Sequence, residues 1–328
     1  MATPEQFTGC LIGKCVGDAV GYPIEGQTPQ QCREYIDRCI RLGAFDNWSG
    51  QYSDDSQLAR ELVQSIVTCG TFDPIHYARH VCALFAENRI VGPGMGATAA
   101  AKLLALGVPW YQAGTPAPSS GNGAAMRVAP LGLFYCRDHD TLVVAARDQA
   151  RVTHQDPRCH AGAIAIAGAT ALAAQQTRAD PAVFLPLIAA WCREDDPFLA
   201  EAIGQIPEWR NEESDRIRQI VKTIGIVPDH WGHREGIPPF VTQSVLWALY
   251  AFTCKPDDYT EAICLAISGG GDVDTTAAMT GAMCGARLGL SAVPEHWARQ
   301  INDGGTWGHQ ELIHLAETCY GVHSGLYK

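Results

Sequence analysis

The sequence predicts an all-α protein built as a compact multi-helix bundle. Apolar residues recur at helical spacing along most of the chain, as at Leu58, Leu62 and Ile66, and this period favours amphipathic helices. Two segments, residues 161–174 and 276–286, are small and apolar on every side, which is typical of helices buried among other helices. No segment shows the sustained alternation of apolar and polar residues that a half-buried strand requires.

The helices can be placed in chain order. Apolar residues share one helix face from Leu11 to Ala19, and a second amphipathic helix ends at Gly70, a residue that commonly terminates helices. Residues 91–96 and 114–123 are rich in Gly and Pro, so we expect loops there. Further segments with helical spacing follow at residues 241–252, 256–268 and 309–320.

The composition indicates a folded protein that does not bind nucleic acid. Hydrophobic residues make up 47% of the 328 residues and charged residues 18%, as in compact globular domains. The Gly- and Pro-rich stretches lie within the helical body and none resembles a linker, so we expect one domain over residues 1–328. The net charge of −11 argues against a nucleic-acid partner, because binding phosphates requires clustered Lys and Arg.

The cysteines and the N-terminal segment indicate a compartment. The 13 cysteines include no C-x-x-C pair, which argues against a zinc cluster, and many lie in apolar runs as expected of buried thiols in the reducing cytoplasm. Lys14 and Asp18 interrupt the first apolar stretch, so we expect no signal peptide. No segment has the roughly 20 apolar residues that span a bilayer, and we expect no membrane partner.

Two clusters of oxygen-bearing side chains are candidates for a metal site. Ser53, Asp54 and Asp55 stand immediately before a predicted helix, where they could serve simply as helix caps. A second cluster far along the chain has the same setting, which makes one shared site a better explanation than two coincidences. This second cluster, which follows the glycines at 269–271, consists of Asp272, Asp274 and Thr275.

Aspartates brought together in this way would repel one another unless cations neutralised them. Carboxylate and hydroxyl oxygens are hard ligands, so the expected cofactors are two Mg²⁺ or Mn²⁺ ions. Two ions about 3.5 to 4 Å apart could share Asp274 or Asp55 as a bridge. The glycines before Asp272 would let the backbone pass close to such a crowded centre.

The chain resembles the ADP-ribosylglycohydrolase family nearly end to end. The resemblance runs from GCLIGKCVGDAVGYPIEG through YSDDSQLARELVQS, GNGAAMRVAPLG and VTHQDPRCHAGA to ISGGGDVDTTAAMTGAMCGARLG. It implies a helical fold with a central dinuclear metal cleft. It also implies a hydrolase that acts on ADP-ribosylated protein and releases ADP-ribose, with the serine O-linked and arginine N-linked forms both open.

The resemblance also implies residue roles. Ser53 stands where the family more often has Thr, and the hydroxyl is retained. Glu25 matches a glutamate near the metal pair, and Glu25 or Asp55 would carry the catalytic proton transfer, although Glu25 alone could be an ordinary loop residue. The implied metal ligands are Ser53, Asp54, Asp55, Asp272, Asp274 and Thr275.

Further positions match the part of the family's cleft that holds ADP-ribose. Glycines before a helix can direct backbone N–H groups at a phosphate, although taken alone they are better explained as a plain turn, and Pro93 removes one donor. Arg127 could instead be a structural ion-pair partner, and His154 a buried structural histidine. The implied contacts are Gly92, Gly94, Gly96 and Thr98 at the pyrophosphate, Gly121, Asn122, Gly123, Met126 and Arg127 along the cleft, and His154 near the ribose or adenine.

Three other functions remain open. A two-metal phosphoesterase that cuts the pyrophosphate would need the same aspartates, although the end-to-end resemblance to glycohydrolases disfavours it. A hydrolase of a small conjugate such as O-acetyl-ADP-ribose would use the same cleft. The family also includes crystallin-like proteins with a structural role, and the retention of every ligand position and of Glu25 argues for an enzyme.

Overall fold

The computed structural model describes residues 2–45, 48–175, 180–225 and 235–326. Over these ranges the chain forms α-helices and short helical turns, and its only β pairing consists of isolated bridges. The prediction of an all-α fold is confirmed. The helices, numbered α1 to α17 in chain order, are Pro4–Gly21, Pro29–Tyr35, Asp54–Cys69, Pro74–Ala86, Met95–Ala105, Trp110–Ala113, Ala129–Phe134, His139–Arg151, Pro157–Gln175, Pro181–Cys192, Pro197–Trp209, Ser214–Thr223, Val241–Cys254, Tyr259–Ser268, Val273–Leu288, Glu295–Ala298 and His309–Leu326.

Local sequence signals set the ends of the helices that carry the site. Helix α1 starts with a capping box, in which the Thr3 hydroxyl accepts from the Gln6 N–H and the Gln6 side chain accepts from the Thr3 N–H. Helix α3 has Ser53 as its N-cap residue and ends at Gly70, whose φ of 74° lies in the left-handed region. The predicted stop at Gly70 is confirmed, and the first acidic cluster lies at a helix start.

Helices α1 and α15 pack backbone against backbone at the centre of the molecule. Glycines recur at four-residue intervals from Gly9 to Gly21 on α1 and face α15. A Cβ added at Gly13 would lie 2.6 Å from the carbonyl oxygen of Gly281, and one added at Gly21 would lie 2.6 Å from the Cα of Asp274. Only glycine permits this approach, which brings the end of α1 against the start of α15.

The other predicted segments match the structure with small shifts. Residues 161–174 fall within the buried helix α9, and residues 276–286 within the buried helix α15. The predicted loop at residues 91–96 is shorter than expected, because α5 begins at Met95. Residues 114–123 form a loop that ends in the short 3₁₀ turn Asn122–Ala124.

Most of the cysteine thiols lie in the core, as their positions in apolar runs predicted. All 13 cysteines are free thiols and most are buried. Among the described helices, none combines the length and the apolar character needed to cross a bilayer.

Candidate active site

A cleft of 820 Å³ opens where the ends of α1, α3, α5 and α15 meet. This volume lies within the range of small-molecule sites in proteins. Residues 115–120 and Pro239 also line the cleft, and no chemical signal in the sequence pointed to them. The predicted site residues that line it are Glu25, Asp54, Asp55, Gly92, Gly94, Gly96, Gly121, Asn122, Gly123, Met126, His154, Asp272, Asp274 and Thr275.

The remaining predicted residues lie outside the wall of this cleft. Ser53 is buried directly behind it at the start of α3. Thr98 lies one turn into α5, where its hydroxyl donates to the Gly94 carbonyl oxygen at 2.9 Å. Arg127 is fully buried behind the wall.

Asp55 joins the two acidic clusters. Its Oδ2 accepts from the Ser53 hydroxyl at 3.1 Å and from the Thr275 hydroxyl at 3.1 Å. Its Oδ1 is buried and has no hydrogen-bond partner. A buried carboxylate oxygen without a partner is costly unless something positive reaches it, so this oxygen suits a cation ligand position.

Two groups of carboxylates meet at this end of the cleft. Asp18, Asp55 and Asp274 each place one oxygen so that all three oxygens lie within 4.8 Å of one another. Glu25, Asp272 and Asp274 do the same. The two groups share Asp274, so a pair of neighbouring hard cations could be held here with Asp274 between them.

The carboxylates lack compensating charge in the cleft itself. Burial and then the charge of Asp55 raise the pKa of Asp272 to about 7. Burial also raises the pKa of Asp54 and of Asp274 well above the usual range for aspartate. No Lys or Arg occurs among the described residues that line the cleft, so the cleft wall offers an anionic ligand no side-chain cation, and bound metal ions would make its entry more favourable.

Asp18 is a member of the cluster that sequence reasoning did not identify. One of its oxygens accepts from the Ser53 N–H at 2.9 Å, and the other accepts from the Ser56 N–H at 3.0 Å and the Ser56 hydroxyl at 2.6 Å. It thereby holds the start of α3 against α1. The available signal was its position as an acid in an otherwise apolar, buried helix, four residues after the buried Lys14.

Two segments of the cleft wall, the loop that contains Gly94 and the 3₁₀ turn that contains Asn122, hold Asp54 and Asp272 in place. The Asn122 amide donates to Asp272 Oδ2 at 2.5 Å and to the Ser244 hydroxyl at 3.1 Å. Asp54 Oδ2 accepts from the Gly94 N–H at 3.2 Å. The Gly94 N–H, one of the donors predicted to face a phosphate, therefore binds the loop to α3 instead. Gly96 lies in the first turn of α5, where N–H groups lack helical partners.

Comparisons with known proteins agree with this geometry. A family model described as ADP-ribosylglycohydrolase matches residues 1–327. The chain is 29% identical to ADP-ribosylhydrolase ARH3 of Homo sapiens, over 97% of this chain and 93% of that protein. It is 26% identical to ADP-ribosylarginine hydrolase Tri1 of Pseudomonas putida, over 97% of this chain and 80% of that protein.

The fold comparison points the same way. A solved structure described as an ADP-ribosylglycohydrolase-related protein complex superimposes with a TM-score of 0.71 and 26% identity, covering 98% of both chains. With an acidic cleft where helices from both ends of the chain meet, and with this match along its whole length, the chain belongs to the ADP-ribosylglycohydrolase family of hydrolases.

Proposed function

We propose that the protein cleaves the glycosidic bond between the distal ribose of ADP-ribose and a modified protein side chain, releasing ADP-ribose. The observation that carries the proposal is the pair of carboxylate groups sharing Asp274 at one end of a cleft that is walled elsewhere by glycine loops and His154. The cleft therefore combines a place for cations with a place for a phosphate-bearing ligand.

Two Mg²⁺ or Mn²⁺ ions fit the residues present. The donors are all hard oxygens, the two groups are adjacent, and Asp55 Oδ1 is buried without a partner. When bound, the ions would lower the pKa of a water and orient it together with the hydroxyls of the distal ribose. The residues proposed to hold them are Ser53, Asp54, Asp55, Asp272, Asp274 and Thr275, with Asp18 beside them.

Glu25 is the proposed proton acceptor. It is exposed at the edge of the cleft and yet has one oxygen in the same group as Asp272 and Asp274. A water beside it attacks the anomeric carbon and gives one proton to the Glu25 carboxylate, while the bond from that carbon to the protein side chain breaks. The departing oxygen or nitrogen takes up a proton from solvent, and Glu25 then returns its proton to solvent, so that one water is consumed overall. Asp55 is held through its Oδ2 by two hydroxyls. Its proposed role is to hold metal, and not to transfer the proton.

The substrate class is protein-linked ADP-ribose. The relative from Pseudomonas putida carries arginine in its name, and both an O-linked serine and an N-linked arginine would leave the same ADP-ribose in the cleft. The decisive experiment incubates the protein with serine-linked and arginine-linked ADP-ribosyl peptides, with Mg²⁺ and with Mn²⁺, and identifies the products.

Free ADP-ribose from either peptide supports the proposal, and the faster peptide names the linkage. Release of AMP would indicate a phosphoesterase, and hydrolysis of O-acetyl-ADP-ribose alone would indicate a small-conjugate hydrolase. Binding of ADP-ribose without turnover would indicate a structural or binding protein. Asp274→Asn should abolish turnover, whereas Asp37→Asn should leave it unchanged, because the Asp37 side chain is 69% exposed in the helical turn Ile36–Arg41 that follows α2.

A further inference from the structure

Arg127, Thr153 and His154 form a hydrogen-bonded chain from the core to the cleft wall. Arg127 Nη2 donates to the Thr153 hydroxyl oxygen at 2.7 Å and to the Gln149 carbonyl oxygen at 2.9 Å, and Arg127 Nε donates to the Gln149 side chain at 2.9 Å. The Thr153 oxygen lies 2.8 Å from His154 Nδ1. The guanidinium is fully buried, 5.5 Å from the ring centroid of Tyr77.

These hydrogen bonds determine where the Thr153 hydroxyl hydrogen and the His154 imidazole hydrogen lie. The Thr153 hydroxyl is fully buried, and its oxygen already accepts from Arg127. Its own hydrogen has only His154 Nδ1 within bonding distance among the described residues, and an unmade hydrogen bond at a buried hydroxyl is costly. Thr153 therefore donates to Nδ1, and the neutral imidazole carries its hydrogen on Nε2.

The ring of His154 lies between Gly96, in the first turn of α5, and Gly123, in the 3₁₀ turn. A Cβ added at Gly96 would lie 2.7 Å from His154 Nε2, and one added at Gly123 would lie 2.8 Å from Cε1. The backbone is fixed as well, since the His154 N–H donates to the Ala150 carbonyl oxygen at 2.8 Å and residues Thr115 and His154 form a bridge pair. The ring therefore has little freedom to turn.

His154 stays uncharged in this setting. Burial, and then the nearby charge of Arg127, lower the pKa of its imidazole to about 3. A neutral ring with its hydrogen on Nε2 donates one hydrogen bond into the cleft and offers no acceptor there.

We propose that Arg127 and Thr153 are positioning residues that lock His154 as a fixed Nε2–H donor to an acceptor atom of the ADP-ribosyl group. The inference rests on the proposed function for the identity of the ligand. It assigns Arg127 a role through His154 instead of a direct contact, and it explains why a buried cation lies so close behind the cleft wall. Acceptors of the required kind are a phosphate oxygen, a ribose oxygen or a purine ring nitrogen.

The test is a matched pair of variants, Thr153→Val and Thr153→Ser. In the wild-type protein, the ¹⁵N spectrum of the His154 imidazole should show a protonated Nε2 and an unprotonated Nδ1. Thr153→Val keeps the shape of the side chain but removes the hydroxyl, so the spectrum should shift towards a mixture of tautomers. The Kd for ADP-ribose, measured by calorimetry with Mg²⁺, should rise about tenfold, and Thr153→Ser should restore both readouts.

The outcomes separate this inference from the proposed function. A wild-type spectrum with the hydrogen on Nδ1 overturns the inference, and it does so even if Thr153→Val fails to fold. A Thr153→Val protein with altered tautomers and unchanged Kd also overturns it while leaving the proposed function intact. A wild-type protein that binds no ADP-ribose overturns the proposed function and the ligand assignment together, although its spectrum still reports on the hydrogen-bond chain.

Discussion

Helix α3 carries buried carboxylates in two places, and their surroundings are opposite. At its start, Asp55 lies among other carboxylates, and burial raises its pKa. Two turns further on, Glu61 lies 2.7 Å from the Arg60 guanidinium and 2.7 Å from His80 Nδ1, while Arg60 also reaches Asp303 at 2.6 Å. Burial pushes the pKa of Glu61 upward, but the bonds from His80 and Arg60 outweigh it and lower that pKa.

The two regions differ in how their buried charges are compensated. The Arg60 network, which consists of Arg60, Glu61, His80 and Asp303, pairs its buried charges with one another, as a structural network must. The cleft leaves like charges together and one carboxylate oxygen without a partner. Such an arrangement lowers the stability of the metal-free protein and is retained where a ligand supplies the missing charge. Four predictions test this difference.

The largest expected effect is a loss of stability when the Arg60 network is broken. Arg60→Met would leave Glu61 and Asp303 buried without their cation, so we expect the free energy of unfolding to fall by about 3 to 5 kcal/mol. Urea denaturation followed by circular dichroism measures it. Arg216→Met is the control, because its pair with Glu212 is a solvent-exposed i,i+4 contact and should change stability by less than about 1 kcal/mol. Equal losses in the two variants would remove the distinction.

The cleft should respond to metal and the Arg60 network should not. At a concentration 100 times its Kd, each bound ion should add about 2.7 kcal/mol to the free energy of unfolding. Thermal melts with a chelator and with added Mg²⁺ or Mn²⁺ provide the comparison. Asp274→Asn should lose most of the rise in Tm, since Asp274 belongs to both carboxylate groups. A full rise in that variant would place the ions elsewhere.

Removing a charge from the cleft should raise the free energy of unfolding, whereas removing one from the Arg60 network should lower it. In the presence of a chelator, Asp55→Asn should raise the free energy of unfolding by about 1 to 2 kcal/mol, as is common when a functional charge is neutralised. The amide oxygen can still accept from the Ser53 and Thr275 hydroxyls, so the geometry is kept. A loss of stability would show that the carboxylates are already compensated without metal.

The smallest expected effect is a pH dependence. Folding raises the pKa of Asp272 to about 7, so its contribution to stability is present below the unfolded value near 4 and is lost as pH rises towards 7. The pKa of Asp303 is lowered, so its contribution is present above pH 4 and is lost only in acid.

Between pH 6 and 7, the metal-free protein should therefore lose about 1 kcal/mol of stability that the metal-loaded protein keeps. Denaturation at both pH values, with and without chelator, measures the difference. Asp272→Asn should show a shallower fall, and an unchanged slope in that variant would assign the pH dependence to other groups.

Much of the fold was predictable from the sequence because helical spacing is a local signal. The apolar face at Leu58, Leu62 and Ile66 and the stop at Gly70 place α3 correctly. The glycine intervals on α1 were visible too, but their meaning depends on which helix they face. No local pattern shows that Gly13 meets Gly281.

The site residues were predictable where they are adjacent in the sequence, as at Asp54 and Asp55. Asp18 was not predicted because it is distant from them in the sequence and meets them only through the packing of α1. The position of Arg127 behind the cleft wall could not be predicted from the GNGAAMR segment, since the sequence does not show which way a side chain points. The use of the Gly94 N–H by Asp54 likewise depends on tertiary contact.

The pairing of α1 with α15 also has a consequence for biosynthesis. The bond between Thr275 and Asp55 joins residues 220 positions apart, and at a synthesis rate of roughly 5 to 20 residues per second the later residue follows by about 10 to 40 seconds. Throughout that interval the nascent chain exposes the glycine-lined surface of α1 without its partner. Until α15 leaves the ribosome, neither carboxylate group can assemble, because Asp272 and Asp274 lie at the start of that helix.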